Sequence, residues 1–329
     1  VRVLPLNITF KETLSSYNEM IMKSFVEKLA EYNNTLIEIR LYEPSIATDF
    51  SNYFCKLEGL LKRQLENGIK IKYEICTAGV GLTMKQAGFF REKNITVCLL
   101  MDGPKSIHEH NNILLNRMGS HEQAVHAARL LTTYKVNFYI GITVTSVVAM
   151  NIQRIFSFFI ENGWNSHAYW PVMCEMHQKM PTELLSVREY QYFLEQLFWL
   201  WKDKRMNRQP VYVREFENLA GVIKGYAPLV SSLSGQCPFQ NVFFSNGYIY
   251  SRGCREGHTE YLCKQLEEQG LLVMKSVDVK TECKMCRWVS LCQSDRMCCM
   301  NSSVFCEIYK DFYLSILPEI FELLRNLGK

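Results

Sequence analysis

The chain is 329 residues long, with 37 Lys and Arg against 33 Asp and Glu and a formal net charge of +4. That length excludes a peptide ligand and more than two or three domains, and a hydrophobic share of 48% excludes a disordered chain. So slight a basic excess does not predict nucleic-acid binding, and no apolar run approaches the ~18–20 residues of a membrane span.

In the N-terminal two-thirds, short apolar runs alternate with segments of helical period. Strands are predicted over residues 37–41, 71–77, 95–101, 138–144 and 167–172, and helices over 18–32, 49–67, 84–93, 120–134 and 152–162. This alternation predicts parallel βαβ units, and the near-continuous apolar strands predict a sheet covered on both faces. Five repeats are too few for a closed eight-stranded barrel and predict an open or partial one. Functional residues are then expected in the loops after the strand C-termini, which read Tyr42-Glu43-Pro44, Ala78-Gly79-Val80 and Asp102-Gly103-Pro104. His108, just beyond the last of these, reads as a support for its loop.

After Pro171 the pattern changes. Residues 189–205 read as a long aromatic-rich helix containing Trp199 and Trp201, and 212–224 as another, with the Trp and Tyr residues as core packing. A Ser/Gly-rich linker at 231–235 opens the last third. There, two β runs over 242–250 flank Asn246-Gly247, a hairpin signal, because a type I′ turn needs positive φ at both central residues. Residues 309–327 read as an amphipathic helix packed against the barrel, with a kink expected at Pro318.

The 13 cysteines are unevenly placed: Cys55, Cys76, Cys98 and Cys174 lie in apolar segments, and the other nine fall between Cys237 and Cys306. The first residues of the chain lack the long apolar core of a secretory signal, so a cytoplasmic protein is expected, whose thiols serve as metal ligands rather than disulfides. Cys283-Lys284-Met285-Cys286 lets two thiolates reach one metal from a tight turn, and Cys292 and Cys306 complete an all-sulfur set. Such a set suits zinc and an iron–sulfur cluster equally.

Several segments together resemble the radical SAM/SPASM family, and most closely the anaerobic sulfatase-maturing enzymes. They are the run from Leu99 through Asp102-Gly103-Pro104 to His108, Gly119-Ser120, Lys135–Phe138, Val144–Ser146, Thr77-Ala78-Gly79 and Glu43-Pro44. Further along come Cys237-Pro238, Gly247–Tyr250, Cys283 to Cys292, and Phe305–Lys310. The resemblance implies an α/β fold: a partial (β/α)6 TIM-like barrel with linking helices over residues 1–230, and a cysteine-rich SPASM-like domain over 231–329. It also implies reductive cleavage of S-adenosylmethionine at a barrel cluster, and oxidation of a Cys or Ser side chain of a sulfatase to formylglycine. In this chain Glu43 and Asp102 stand as remnants of the S-adenosylmethionine site, while Cys283, Cys286, Cys292 and Cys306 match all four ligands of one auxiliary [4Fe–4S] cluster.

The departures from the family are specific. No cysteine precedes Cys55, and the family's C-x3-C-x2-C spacing occurs nowhere. Either that loop is replaced by residues 8–16, with 1–7 as the first strand, or it lies upstream of Val1. Leu41 and Tyr42 replace the two glycines of the family's Gly-Gly-Glu-Pro, Leu100 replaces a Ser, Asn112 an Arg, and Ala78 the Asn of Thr-Asn-Gly. The second auxiliary cluster's ligand positions are Ser231, Cys237, Arg252 and Arg296; Cys254 and Cys298 lie two residues beyond the last two. Gly253 stands where the family has its proton-accepting Asp.

Three functions are consistent with these residues. The first is a pseudoenzyme that keeps the fold and one four-cysteine site, iron–sulfur or zinc, and binds a peptide or a partner maturase. The second is an active radical SAM oxidoreductase, modifying a Cys or Ser of a peptide or protein, whose C-x3-C-x2-C segment is absent from this sequence. The third is a zinc-stabilised interaction protein.

Overall fold

A computed structural model describes residues 6–10, 14–16, 22–23, 26, 36–43, 45–46, 49–64, 70–112, 120–171, 185–225, 241–245, 248–251, 285–288, 291 and 303–327. In chain order the elements are β1 (Leu6–Phe10), a 3-10 turn (Leu14–Ser16), β2 (Leu36–Tyr42), α1 (Phe50–Gln64), β3 (Lys70–Thr77), α2 (Met84–Glu92), β4 (Thr96–Leu100), α3 (Lys105–Asn112) and α4 (His121–Thr133). They continue with β5 (Phe138–Val144), α5 (Ser146–Met150), α6 (Ile152–Glu161), β6 (Ser166–Pro171), α7 (Val187–Met206), β7 (Tyr212–Val213), α8 (Arg214–Ile223), β8 (Asn241–Ser245), β9 (Tyr248–Ser251) and α9 (Ser303–Leu327). The chain forms two compact units, residues 1–98, 126–138 and 238–277, and residues 99–125, 139–237 and 278–329. The architecture is mixed α/β, with parallel strands joined through helices as in a partial TIM-like barrel.

In the first unit β1 is parallel to β2, from Leu6 opposite Ile37 to Thr9 opposite Arg40. On its other edge it is parallel to β8, from Asn7 opposite Asn241 to Phe10 opposite Phe244. β2 and β3 pair over their full lengths, ending with Tyr42 opposite Cys76. The expected hairpin forms as the antiparallel pair β8–β9. The described part of the first strand, 6–10, runs past the expected end at Asn7, because Ile8, Thr9 and Phe10 are strand formers that the ladders with β2 and β8 take in; residues 1–5 lie outside the described residues. The core of this unit places Phe54 edge-on to Tyr73 at 4.8 Å and Phe50 edge-on to Phe90 at 5.8 Å.

In the second unit β6 is parallel to both β5 and β7. Helix starts obey local chemistry. Thr83 and Gln86 form a capping box on α2, and Ser186 and Glu189 form one on α7, which moves the start of that helix back to Val187. Residues 212–213 belong to a strand, because their parallel pairing with β6 outweighs the helical period that α8 carries from Arg214. α9 runs unbroken through Pro318; the carbonyl that a proline leaves unpaired belongs to Leu314, which is exposed. The helix expected over 18–32 lies largely outside the described residues.

α7, α8 and α9 share an aromatic core. Phe198, fully buried, lies 5.8 Å from Trp201, 5.5 Å from Phe216 and 6.1 Å from Phe312. Trp201 is core as expected, whereas Trp199 is half exposed, with the Lys202 ammonium 5.4 Å from its ring. Lys202 also bonds Glu322 at 2.6 Å and Glu319 of α9. No helix among the described residues is long and apolar enough to cross a membrane. Truncating Phe198 to Ala is expected to lower stability by ~3–5 kcal/mol, read as a shift in the urea midpoint, because the surrounding rings cannot collapse into the space.

Candidate functional site

The loop after β2 carries the first group. Tyr42, its last strand residue, is 40% exposed, while Glu43 beside it is 2% exposed. The Glu43 amide donates to the Cys76 carbonyl at 2.8 Å, continuing the ladder one residue past the strand. Its carboxylate turns inward and accepts the Leu14 backbone N–H at 2.5 Å. Leu14, itself buried, opens the 3-10 turn that comes after β1, so a side chain after the second strand holds the backbone after the first. Burial pushes the Glu43 carboxyl up to about 7; the Leu14 N–H opposes that rise and Asp49 adds to it. After β3, the buried Thr77 hydroxyl accepts the Gly79 N–H at 3.0 Å, and Gly79 takes the positive φ of 77° that glycine allows.

The Asp102-Gly103-Pro104 loop carries the second group. The Asp102 N–H donates to His108 Nδ1 at 3.1 Å. Nδ1 is therefore the acceptor, and Nε2 carries the proton toward Ser120 Oγ at 2.9 Å. Burial, with the neighbouring His121 in support, holds His108 down at about 4, so the ring is neutral near pH 7. The Asp102 carboxylate, 6% exposed, accepts the Thr143 N–H at 2.8 Å at the end of β5. Gly103 has φ 122°, and a Cβ there would lie 2.9 Å from Ile155 Cγ1, so only glycine fits this turn. His108 and Asp102 thus brace the loop from within.

The third group lies near the tail. Of the four expected metal ligands, Cys286 and Cys306 are described; both are half-buried and neither is in a disulfide. Cys283 and Cys292 lie outside the described residues, as do Cys237, Cys254 and Cys298. The described residues contain no cluster of three or more His, Cys, Asp or Glu side chains able to hold a metal. The Cys286 turn is tied to α9: Trp288 packs on Tyr313 with ring centroids 5.9 Å apart, and the Tyr313 hydroxyl donates to the Leu291 carbonyl at 2.8 Å. Sequence reasoning missed Leu14 and Tyr313, since both act through contacts distant in the chain.

Parallel strands followed by loops that carry polar side chains, as after β2 and β4, have the arrangement of a partial TIM-like barrel. Two curated relatives are cysteine-type anaerobic sulfatase-maturating enzymes. The one from Clostridium novyi (strain NT) is 25% identical over 311 residues, 87% of this chain and 81% of the relative. The one from Clostridium perfringens (strain 13 / Type A) is 26% identical over 295 residues, 84% of this chain and 80% of the relative. Among solved structures, native anSMEcpe with bound AdoMet and Cp18Cys peptide superposes with a TM-score of 0.76 at 22% identity, over 98% of this chain and 100% of that one. Streptococcus suis SuiB bound to S-adenosylmethionine gives a TM-score of 0.52 at 12% identity, over 89% of this chain and 71% of that one. No family model matches the chain. The chain is a homologue of the anaerobic sulfatase-maturating enzymes, which are radical SAM proteins.

The Glu43 contact has a measurable pH signature. A carboxyl raised from 4.5 to about 7 binds protons more tightly in the folded chain than in the unfolded one. Its contribution is therefore fully present below the unfolded value and is lost as pH rises through 7. Glu43→Gln keeps an acceptor for Leu14 but does not titrate. Melting temperatures across pH 4.5–7 are expected to fall less steeply with rising pH in the variant than in the parent.

Proposed function

We propose that this chain is a degenerate relative of the sulfatase maturases that does not cleave S-adenosylmethionine. It binds a peptide or a partner maturase in the cytoplasm and keeps one four-cysteine metal site. The observation that carries the reading is the seat of β1 together with the make-up of the loop after it. β1 pairs with β2 on one edge and with β8 on the other, which supports reading the connection after Phe10 as the first βα loop. That connection contains no cysteine; the first in the chain is Cys55, on α1. Its turn is closed by the Leu14 amide on Glu43.

The remaining features support the same reading. Glu43 and Asp102 direct their carboxylates to backbone amides of the chain itself, at Leu14 and Thr143. Tyr42 presents a phenol where the family has glycine for close backbone approach. These residues do not fit an S-adenosylmethionine site. The tail set does fit a soft metal: four thiolates suit a [4Fe–4S] cluster or zinc, and a metal held there contributes directly to folding. In this reading residues 1–230 form the barrel and linking helices, and 231–329 the SPASM-like metal domain. The peptide carried by the solved anSMEcpe structure supports a peptide as the molecule bound.

Two measurements test the reading. Anaerobically reconstituted protein, reduced with dithionite in the presence of S-adenosylmethionine, is expected to form no 5′-deoxyadenosine; nucleoside above the protein-free background overturns it. Changing Cys283, Cys286, Cys292 and Cys306 together to Ser is expected to abolish bound iron or zinc by elemental analysis, whereas metal retained at parent stoichiometry removes the site. A brown preparation identifies the cluster and a colourless one zinc.

A further inference from the structure

Resting on the four-thiolate reading above, we infer that Tyr313, with Trp288, is a positioning residue for the metal site: it seats the turn bearing Cys286 on the face of α9 that bears Cys306. Cys286 lies two residues before Trp288, and Cys292 one residue after Leu291. Both ends of the segment between those cysteines are held. The Leu291 N–H donates to the Trp288 carbonyl at 2.9 Å, closing a tight turn. The Leu291 carbonyl accepts the Tyr313 hydroxyl at 2.8 Å, and the Trp288 ring lies on Tyr313. The Arg287 guanidinium also lies over Trp288, 4.6 Å from the ring centroid.

Tyr313 is itself fixed. It is 2% exposed and stacks on Tyr309 with centroids 5.9 Å apart, and the Tyr309 hydroxyl meets that of Tyr190 on α7 at 2.8 Å. Residues 306, 309 and 313 recur at spacings of three and seven, so Cys306 shares its helix face with the two tyrosines. The turn is thus docked on the helix face that carries the fourth thiol, about two turns (~10 Å) along α9 from it. Ligands held in place before the metal arrives lose less freedom on binding, and partners beyond the coordinating atoms commonly set metal affinity.

The test uses the whole chain loaded with zinc, or reconstituted with iron and sulfide, whichever the parent retains, and tracks metal release to a chromogenic chelator. Tyr313→Phe removes only the hydroxyl and keeps the ring. One lost hydrogen bond of ordinary strength corresponds to about fivefold faster release. Lys202→Met cuts the ties to Glu319 and Glu322 between the same two helices but touches nothing at the turn, and is expected to release metal at the parent rate. Release from Tyr313→Phe at the parent rate, or equal acceleration in both variants, overturns the inference and leaves the thiolate site standing. A parent chain that retains neither metal overturns the site as well.

Discussion

The parallel ladders that hold Leu6–Phe10 between β2 and β8 set the limits for the front of the molecule. A strand hydrogen-bonded on both edges cannot slip by one residue without turning every side chain to the opposite face. The position of the loop after it is therefore fixed. Four residues after Phe10, the Leu14 amide is taken by Glu43 from the end of the neighbouring strand, which ties the chain after β1 to the end of β2.

The two acidic residues at the strand ends meet different surroundings to the same effect. Glu43 is raised because burial dominates the single amide it accepts. Asp102 sits in a network with a neutral His108, which accepts the Asp102 N–H and points its own proton to Ser120. In both cases a carboxylate oxygen is directed inward, to a backbone amide at Leu14 or at Thr143 of β5. These hydrogen bonds limit the cost of burying the two groups, since an unpartnered buried carboxylate would be strongly destabilising.

Much of this was legible in the sequence, and the gaps have physical causes. The apolar strands and amphipathic helices announced the α/β architecture, because periods of 2 and 3.6 survive in any chain that must bury one face. The end of the first strand lies three residues beyond Asn7, because Asn7 and Thr9 break its apolar pattern and only the register with β2 shows them inside it. Tyr212 and Val213 carry a helical period, yet pair with Ser166 and His167. At the site, Glu43, Asp102 and the cysteines stood out by type and by family pattern. Leu14 did not, since its contribution is a backbone amide that meets a side chain 29 residues on. Tyr313 was hidden for the same reason: a tyrosine at helical spacing is ordinarily core, and its hydroxyl partner lies 22 residues earlier.

The contrast between front and tail arises from what each is attached to. Among the described residues after β1, the Leu14 amide is held by the Glu43 carboxylate, a contact within the first unit. The Cys286 turn continues the core of that unit: Trp288 lies on Tyr313, Tyr313 on Phe312, and Phe312 against Phe198 and Phe216. Aromatic residues dominate the energetics of such a core, and removing one buried ring costs several kcal/mol. A change at the turn that carries Cys286 is therefore felt through Tyr313 in the aromatic core that α7, α8 and α9 share, whereas a change at Leu14 is felt at one carboxylate.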